Sequence, residues 1–320
     1  TNTITSNTTT VAISALDLQA LVDGQSYNVT ANVSDAAGNA ATQVTSSSFS
    51  VDRTSPSINA ISTTAMTWGA LLNPTEDDSD GTVTVTTIGI EDGQTLTLTL
   101  DSKNYTNTVT GNSTIVTIPA ADLQALTDQQ SYTITANVSD AAGNAAAEVT
   151  STSFTVDRTP PSINAIGTTA FSWGALLNPV EDEINGTVSL TTVGVEDNQT
   201  LTLALNGKSY TNTVTSNSTI VTIPAADLQD LVDGQAYSVV ANIVDAAGNA
   251  ATQVTSASFN VDRTPSSINA IGTSGFSWGA LLNASEDDSN GTVTITTVGV
   301  EDGQTMALSL NSKNYTSTVN

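Results

Sequence analysis

An all-β chain of tandem β-sandwich domains is the fold class this sequence predicts, and three observations carry the expectation. The first is repetition. Val51-Asp52-Arg53-Thr54 returns at Val156-Asp157-Arg158-Thr159 and at Val261-Asp262-Arg263-Thr264, a spacing of 105 residues. Trp68, Trp173 and Trp278 keep that register, as do Asp35, Asp140 and Asp245. A strict period of domain size makes each repeat a folding unit, and function then comes from reiteration. The second observation is a two-residue alternation of β-branched or apolar residues with Thr. The third is a set of Gly-, Asn- and Asp-rich clusters between the alternating runs.

Residues 58–162 serve as one complete unit, read in order. A first strand is expected near Ser57–Ser62. Thr82-Val83-Thr84-Val85-Thr86-Thr87-Ile88 and Leu96-Thr97-Leu98-Thr99-Leu100 alternate faces, as do Tyr132-Thr133-Ile134-Thr135-Ala136-Asn137-Val138 and Ser153-Phe154-Thr155-Val156. Such a period marks half-buried antiparallel strands with Thr on the outer face. Glu91-Asp92-Gly93, Asp101-Ser102-Lys103-Asn104 and Asp140-Ala141-Ala142-Gly143-Asn144 are the turns between them. Ala120–Leu126 reads as one short helical connection. About seven short strands in about 100 residues is the pattern of an Ig-like β-sandwich, so an extended array of Ig-like domains is expected.

Four segments follow: the C-terminal half of a repeat at 1–57, complete repeats at 58–162 and 163–267, and the N-terminal half of another at 268–320. Thr1–Thr5 and Thr316–Asn320 both fall in strand sequence, so the chain reads as a window of a longer repetitive protein. The alternative is a filament subunit whose half-domains are completed by neighbouring copies.

Charge removes several functions. Lys and Arg total 6 against 31 Asp and Glu, a net charge of −25. No basic footprint for nucleic acid exists, and an anionic membrane would be repelled. Without Cys or His, thiol chemistry, imidazole acid–base work and the usual zinc sites are excluded. No apolar run approaches the roughly 20 residues needed to span a bilayer, so direct membrane insertion is not expected. No nucleophile–base motif stands out, and an enzyme is not expected.

Strand order gathers the acids. If each strand reverses the last, the Glu91-Asp92-Gly93 turn and the Asp140–Asn144 turn return to the pole where the Asp52 linker enters. Asp52, Glu91, Asp92, Asp140 and Asn144 are therefore candidate ligands at one junction, and Asp157, Glu196, Asp197, Asp245 and Asn249 at the next. Ca²⁺ takes six to eight oxygens in flexible geometry and suits such a set. The other reading makes these Asp residues closers of their own turns, with Arg53 or Arg158 as counter-ion. A second acidic run, Glu76-Asp77-Asp78-Ser79-Asp80-Gly81, lies at the opposite pole and resembles an incomplete EF-hand loop or a solvated acidic loop. The Trp in each Trp-Gly-Ala-Leu-Leu-Asn segment is a core plug or, alternatively, a carbohydrate platform. A Lys–Asn isopeptide staple would need a core lysine, and Lys103 sits in a hairpin turn.

Val-Asp-Arg-Thr-Pro-Pro-Ser-Ile at 156–163, Gly-Val-Glu-Asp-Asn-Gln-Thr at 194–200 and Val-Ser-Asp-Ala-Ala-Gly-Asn-Ala at 138–145 resemble bacterial Ig-like extender repeats. Those repeats occur in giant type I-secreted RTX adhesins and biofilm-associated proteins. The resemblance implies extracellular tandem domains on a bacterial cell surface, projecting a distal adhesion module, with Ca²⁺ stiffening the junctions. It carries ligand roles onto Asp52, Asp157 and Asp262, Asp35, Asp140 and Asp245, and Asn39, Asn144 and Asn249. One departure stands out: Arg53, Arg158 and Arg263 occupy a linker position that is often neutral in the family. The partners implied are neighbouring repeats of the same chain, with lateral or end-to-end copies if a fibre forms. A carbohydrate-binding array is the rival function.

Overall fold

The structure, a computed structural model, describes residues 8–320; the strand expected at Thr1–Thr5 lies outside them. The chain is all-β and Ig-like apart from short helical turns. It forms two compact units: one runs to Pro160 and takes in Ala246–Asn249, the other comprises Pro161–Asp245 and Ala250–Asn320.

In the complete repeat of the first unit, a small sheet joins Ser131–Tyr132, Phe154–Val156 and Leu71–Leu72, and Thr-alternating sequence builds two larger sheets. Gly81–Ile88 is central to one, flanked antiparallel by Ser57–Ile58 and Ser113–Ile118. The other has the order Lys103–Thr108, Thr95–Leu100, Thr135–Asn137, Val149–Thr150. Burial follows the pleat: Val83, Val85, Leu96 and Leu98 are fully buried, while Thr84 and Thr86 face outward. Asp101 and Ser102 both take positive φ, the geometry of a two-residue hairpin that matches strand twist.

Two expected strands are more broken than their sequence suggests. The 131–138 run begins as Ser131–Tyr132 paired to Phe154–Val156 and continues as Thr135–Asn137 paired to Thr95–Leu100. One alternating sequence thus serves two sheets. The first strand is only Ser57–Ile58; the chain then turns and returns at Leu71–Leu72, parallel to Phe154–Val156. The hydroxyl of Tyr132 accepts from Thr127 N at 2.9 Å, and Tyr27 and Tyr237 do the same with Val22 and Val232. This backward tie from a late-strand Tyr is a hallmark of Ig-like sandwiches.

The core explains the Trp. Trp68 is 4% exposed and meets Phe154 edge-on, ring centroids 5.3 Å apart. A Cβ on Gly81 would lie 2.5 Å from the Trp68 ring and 2.8 Å from Leu123, so the strand starts with Gly to admit the indole. Trp173 is equally buried, against Phe171 and Phe259. These two rings cannot form an exposed sugar platform. The second unit repeats the same three sheets, the same hairpin and a core from Ile163 to Val261.

Outside these cores the same side chains are open. Leu18 and Phe49 are 44% and 41% exposed, whereas Leu123 and Phe154, one period later, are 0% and 1%.

Candidate functional site

The linkers and the loops beside them hold the repeated polar chemistry. Arg158 decides the path of its linker. Its backbone N–H donates to Asp128 Oδ1 at 2.8 Å, Nε to Asp77 Oδ2 at 2.6 Å, and Nη1 and Nη2 to the carbonyls of Leu126 and Leu123 at 2.8 and 2.9 Å. Those carbonyls end the short helix Ala120–Gln124 and the turn after it, where a cation is favoured. Thr159 Oγ1 donates to Asp128 Oδ2 at 2.8 Å, and Asp157 N to Leu72 O at 2.9 Å. Arg263 repeats the pattern in the second unit with Asp182, Asp233, Leu228 and Leu231. Burial raises the Asp128 carboxyl, but the N–H of Arg158 and the hydroxyl of Thr159 outweigh it and hold the group below its ordinary range.

The acidic run at 76–80 is divided: Asp77 is drawn into an ion pair, while Asp78 and Asp80 stay exposed and hold the short helix. Asp77 is 3% exposed and receives Arg158, Asp78 accepts from Gln124 Nε2, and Asp80 accepts the N–H of Ala120. Sequence reading missed this because the partners stand 40, 46 and 81 residues away in the chain. The available signal was one Arg per repeat at a fixed place, in a chain with few cations.

The predicted ligands are brought together only in part. Asp140 closes its own loop: Oδ1 accepts from Asn144 N at 2.7 Å and Oδ2 from Asn144 Nδ2 at 2.9 Å. Burial raises this carboxyl, and the Asn144 amide with the N–H groups of Asn144, Gly143 and Ala142 lowers it further than burial raises it. Gly143, at φ 94°, supplies the bend the loop requires. Glu91 Oε2 accepts from Ala141 N at 3.0 Å, and Asn144 Nδ2 reaches the Asp52 carbonyl at 3.2 Å. Asp52, Glu91, Asp140 and Asn144 thus share one locality. Asp92 does not join them; its Oδ1 accepts from Gly111 N at 2.6 Å, and Asp197 takes Ser216 N in the same way. The Asp52 carboxylate accepts from Thr54 N, and that of Asp157 from Thr159 N and Gln129 Nε2. In the next repeat Asp245 and Asn249 are buried, at 4% and 7%, and Asn249 Nδ2 donates to Asp157 O at 3.0 Å. Glu196 holds the position of Glu91.

Calcium would need several oxygens turned to one point. Here the Asp140 oxygens and Glu91 Oε2 each accept an N–H from the loop itself, and the Asn144 group facing Asp52 is the amide nitrogen, which cannot be a ligand. Among the described residues no group of three or more acidic side chains is placed to hold a metal ion. As arranged, the set does not fit the ion.

Each full repeat also carries a surface trio. Lys103 Nζ and Tyr105 Oη donate to the two oxygens of Asp122 at 2.6 and 3.1 Å. Burial and then the Asp122 hydrogen bond push the Tyr105 phenol up to about 12. Lys103 is thus occupied by a carboxylate.

Residues 12–88 match the family model of the bacterial Ig-like domain, group 3. That segment carries the similarity to the family. It spans the first Asp-Ala-Ala-Gly-Asn loop and the first linker, and both recur with the 105-residue period. No curated protein matches the chain. Among solved structures, it is similar to a Ca²⁺-stabilized adhesin that helps an Antarctic bacterium reach out and bind ice. Identity there is 29% over 92% of this chain and 71% of that one, with a TM-score of 0.41. A structure described for host cell surface retention of a 1.5-MDa bacterial ice-binding adhesin is 26% identical over 79% of each chain, TM-score 0.41. A tetra-tandem repeat in the extending region of a large adhesion protein is 21% identical over 93% of this chain and 71% of that one, TM-score 0.29. Among the described residues no helix is long and apolar enough to cross a membrane.

Proposed function

We propose that this chain is a run of spacer domains in the stalk of a bacterial surface adhesin, with complete domains at 58–162 and 163–267 between half-repeats. The observation that carries the reading is that the linker is repeated as faithfully as the core. Val-Asp-Arg-Thr returns with every period and its Arg–Asp anchor in both complete repeats, so how the domains are joined repeats along with how they fold. A binding or catalytic array would instead repeat an exposed pocket or platform, and the repeated Trp is spent on the core. The bacterial Ig-like match at residues 12–88 supports the extracellular setting.

The test is reach. One, two or three 105-residue periods are inserted between a membrane anchor and a fluorescent tip on a bacterial surface. Tip height should rise linearly, by about 3–4 nm per period for a domain of about 100 residues. A height that does not grow with repeat number would defeat the stalk reading.

Calcium at the junctions is a competing proposal for the same locality, favoured by the gathering of Asp52, Glu91 and Asp140. An ion there would have to displace the Asn144 amide. Calorimetric titration of the 320-residue chain with calcium reads whether it does.

A further inference from the structure

We propose that asparagine amides, and not metal ions, latch each repeat to the linker before it. The Asp-Ala-Ala-Gly-Asn loop of one repeat docks on a surface made of the preceding linker carbonyl and the Asn of Leu-Leu-Asn. The proposal rests on the tandem reading of the junctions and is independent of adhesin function.

The donor identity is fixed by its neighbours. Asn144 Nδ2 lies 2.9 Å from Asp140 Oδ2 and 3.2 Å from Asp52 O. A carboxylate and a carbonyl both only accept, so the atom between them must donate. Rotating the amide to offer its oxygen to a cation would set it against both acceptors. The five-residue loop also closes through its own donors. Asp35 takes the N–H groups of Ala37 and Asn39 and the Asn39 amide at 3.0, 2.8 and 2.8 Å, the same closure in a second copy.

A second amide repeats the logic from the other side. Asn73 Oδ1 accepts from Thr75 N and Glu76 N at 2.8 and 3.0 Å, which orients its Nδ2 outward. That nitrogen donates to Ala247 O at 2.6 Å, within the first unit, beside Asn249 on Asp157 O at 3.0 Å. A Cβ on Gly248 would stand 3.2 Å from Asn73 Nδ2, and Gly248 has φ 96°, so the loop tip is shaped for this contact. The linker that receives the loop is itself held by Arg158 to Asp77, Leu123 and Leu126. Loop, linker and preceding repeat are then joined through neutral amides and one buried ion pair.

The amide latch and the metal site predict opposite results for Asn→Asp. For a metal, an added carboxylate beside Asp245 is a further ligand. For the latch, it replaces a donor with an acceptor facing a backbone carbonyl, Asp157 O for Asn249 and Ala247 O for Asn73. Arginine occurs only in the linkers (Arg53, Arg158, Arg263), so limited trypsin digestion of the 320-residue chain reads each linker by fragment mass. Wild-type cleavage after Arg158 should be equally slow in calcium and in chelator. Asn249→Asp and Asn73→Asp should each speed it about tenfold, the equivalent of one net hydrogen bond of about 1.4 kcal/mol, with cleavage after Arg263 in the same digest unchanged. Asn73→Asp keeps its own turn through the retained oxygen and decides the matter if Asn249→Asp fails to fold. Faster wild-type cleavage in chelator, slower Asn249→Asp cleavage in calcium, or wild-type rates in the folded variants would overturn the latch. A failure of tip height to scale with repeat number would leave these rates untouched.

Discussion

Arg158→Met tests the anchor that fastens a linker to its own repeat. The substitution keeps much of the aliphatic stem and removes the guanidinium. It strands Asp77, whose side chain is 4% exposed, as a buried carboxylate without a cation. Removing one member of a buried pair costs about 3–5 kcal/mol, mostly the penalty of the abandoned charge. The Arg158 side chain is 20% exposed, so water can partly replace it, and the lower end of about 3 kcal/mol applies. For a domain of this size 1 kcal/mol moves Tm by roughly 4–8 °C, giving a drop of roughly 12–24 °C. Differential scanning calorimetry of the 320-residue chain supplies an internal control, since the 163–261 core keeps its own Arg263–Asp182 pair at 2.6 Å. One transition should move down while the other stays. Adding Asp77→Asn to Arg158→Met removes the stranded charge and should recover about half of the loss. A shift below about 4 °C, or a double variant no better than the single, would refute the reasoning that Asp77 depends on Arg158.

Three further outcomes follow from the same geometry. Gly81→Ala places a methyl against Trp68 and Leu123, both held in the core, and should destabilise the first repeat by about 1–3 kcal/mol in a thermal melt. Phe259→Ala empties a fully buried position against Trp173 and Phe171 and should cost the second repeat about 3–5 kcal/mol, read as loss of its calorimetric transition at the wild-type temperature. The carboxyls of Asp122, Asp128, Asp140, Asp227 and Asp233 are all depressed in the folded chain. Depressed carboxyls add stability that is present above the unfolded value of 3.8 and is lost as pH falls through the folded values. The thermal midpoint should therefore be flat near neutrality and fall below about pH 4. On the alkaline side Tyr105 and Tyr210, both raised to about 12, lose their contribution as pH rises from about 10 to 12, which absorbance at 295 nm follows directly.

The sequence by itself determined the fold class, the period and which face of each strand is buried. Alternation is a local property: Val83 and Val85 share a face because a pleat repeats every two residues, whatever the partner. It also placed the turns at 101–104 and 140–144, since Gly, Asn and Asp declare backbone conformations that other residues resist. The buried Trp followed from its apolar surroundings. Only the tertiary structure decided the partners of the charges. Arg158 and Asp77 stand 81 positions apart in the chain, and nothing local separates an acid that will meet an arginine from one that will meet a metal or water. The same limit hid the strand break at 131–137, because an alternating run fits either sheet and packing alone assigns its halves. It also decided Asn144. In sequence an asparagine beside aspartates suits a ligand shell or a hydrogen-bonded turn equally well. Which end of its amide faces the linker depends on acceptors brought from 4 and 92 residues away.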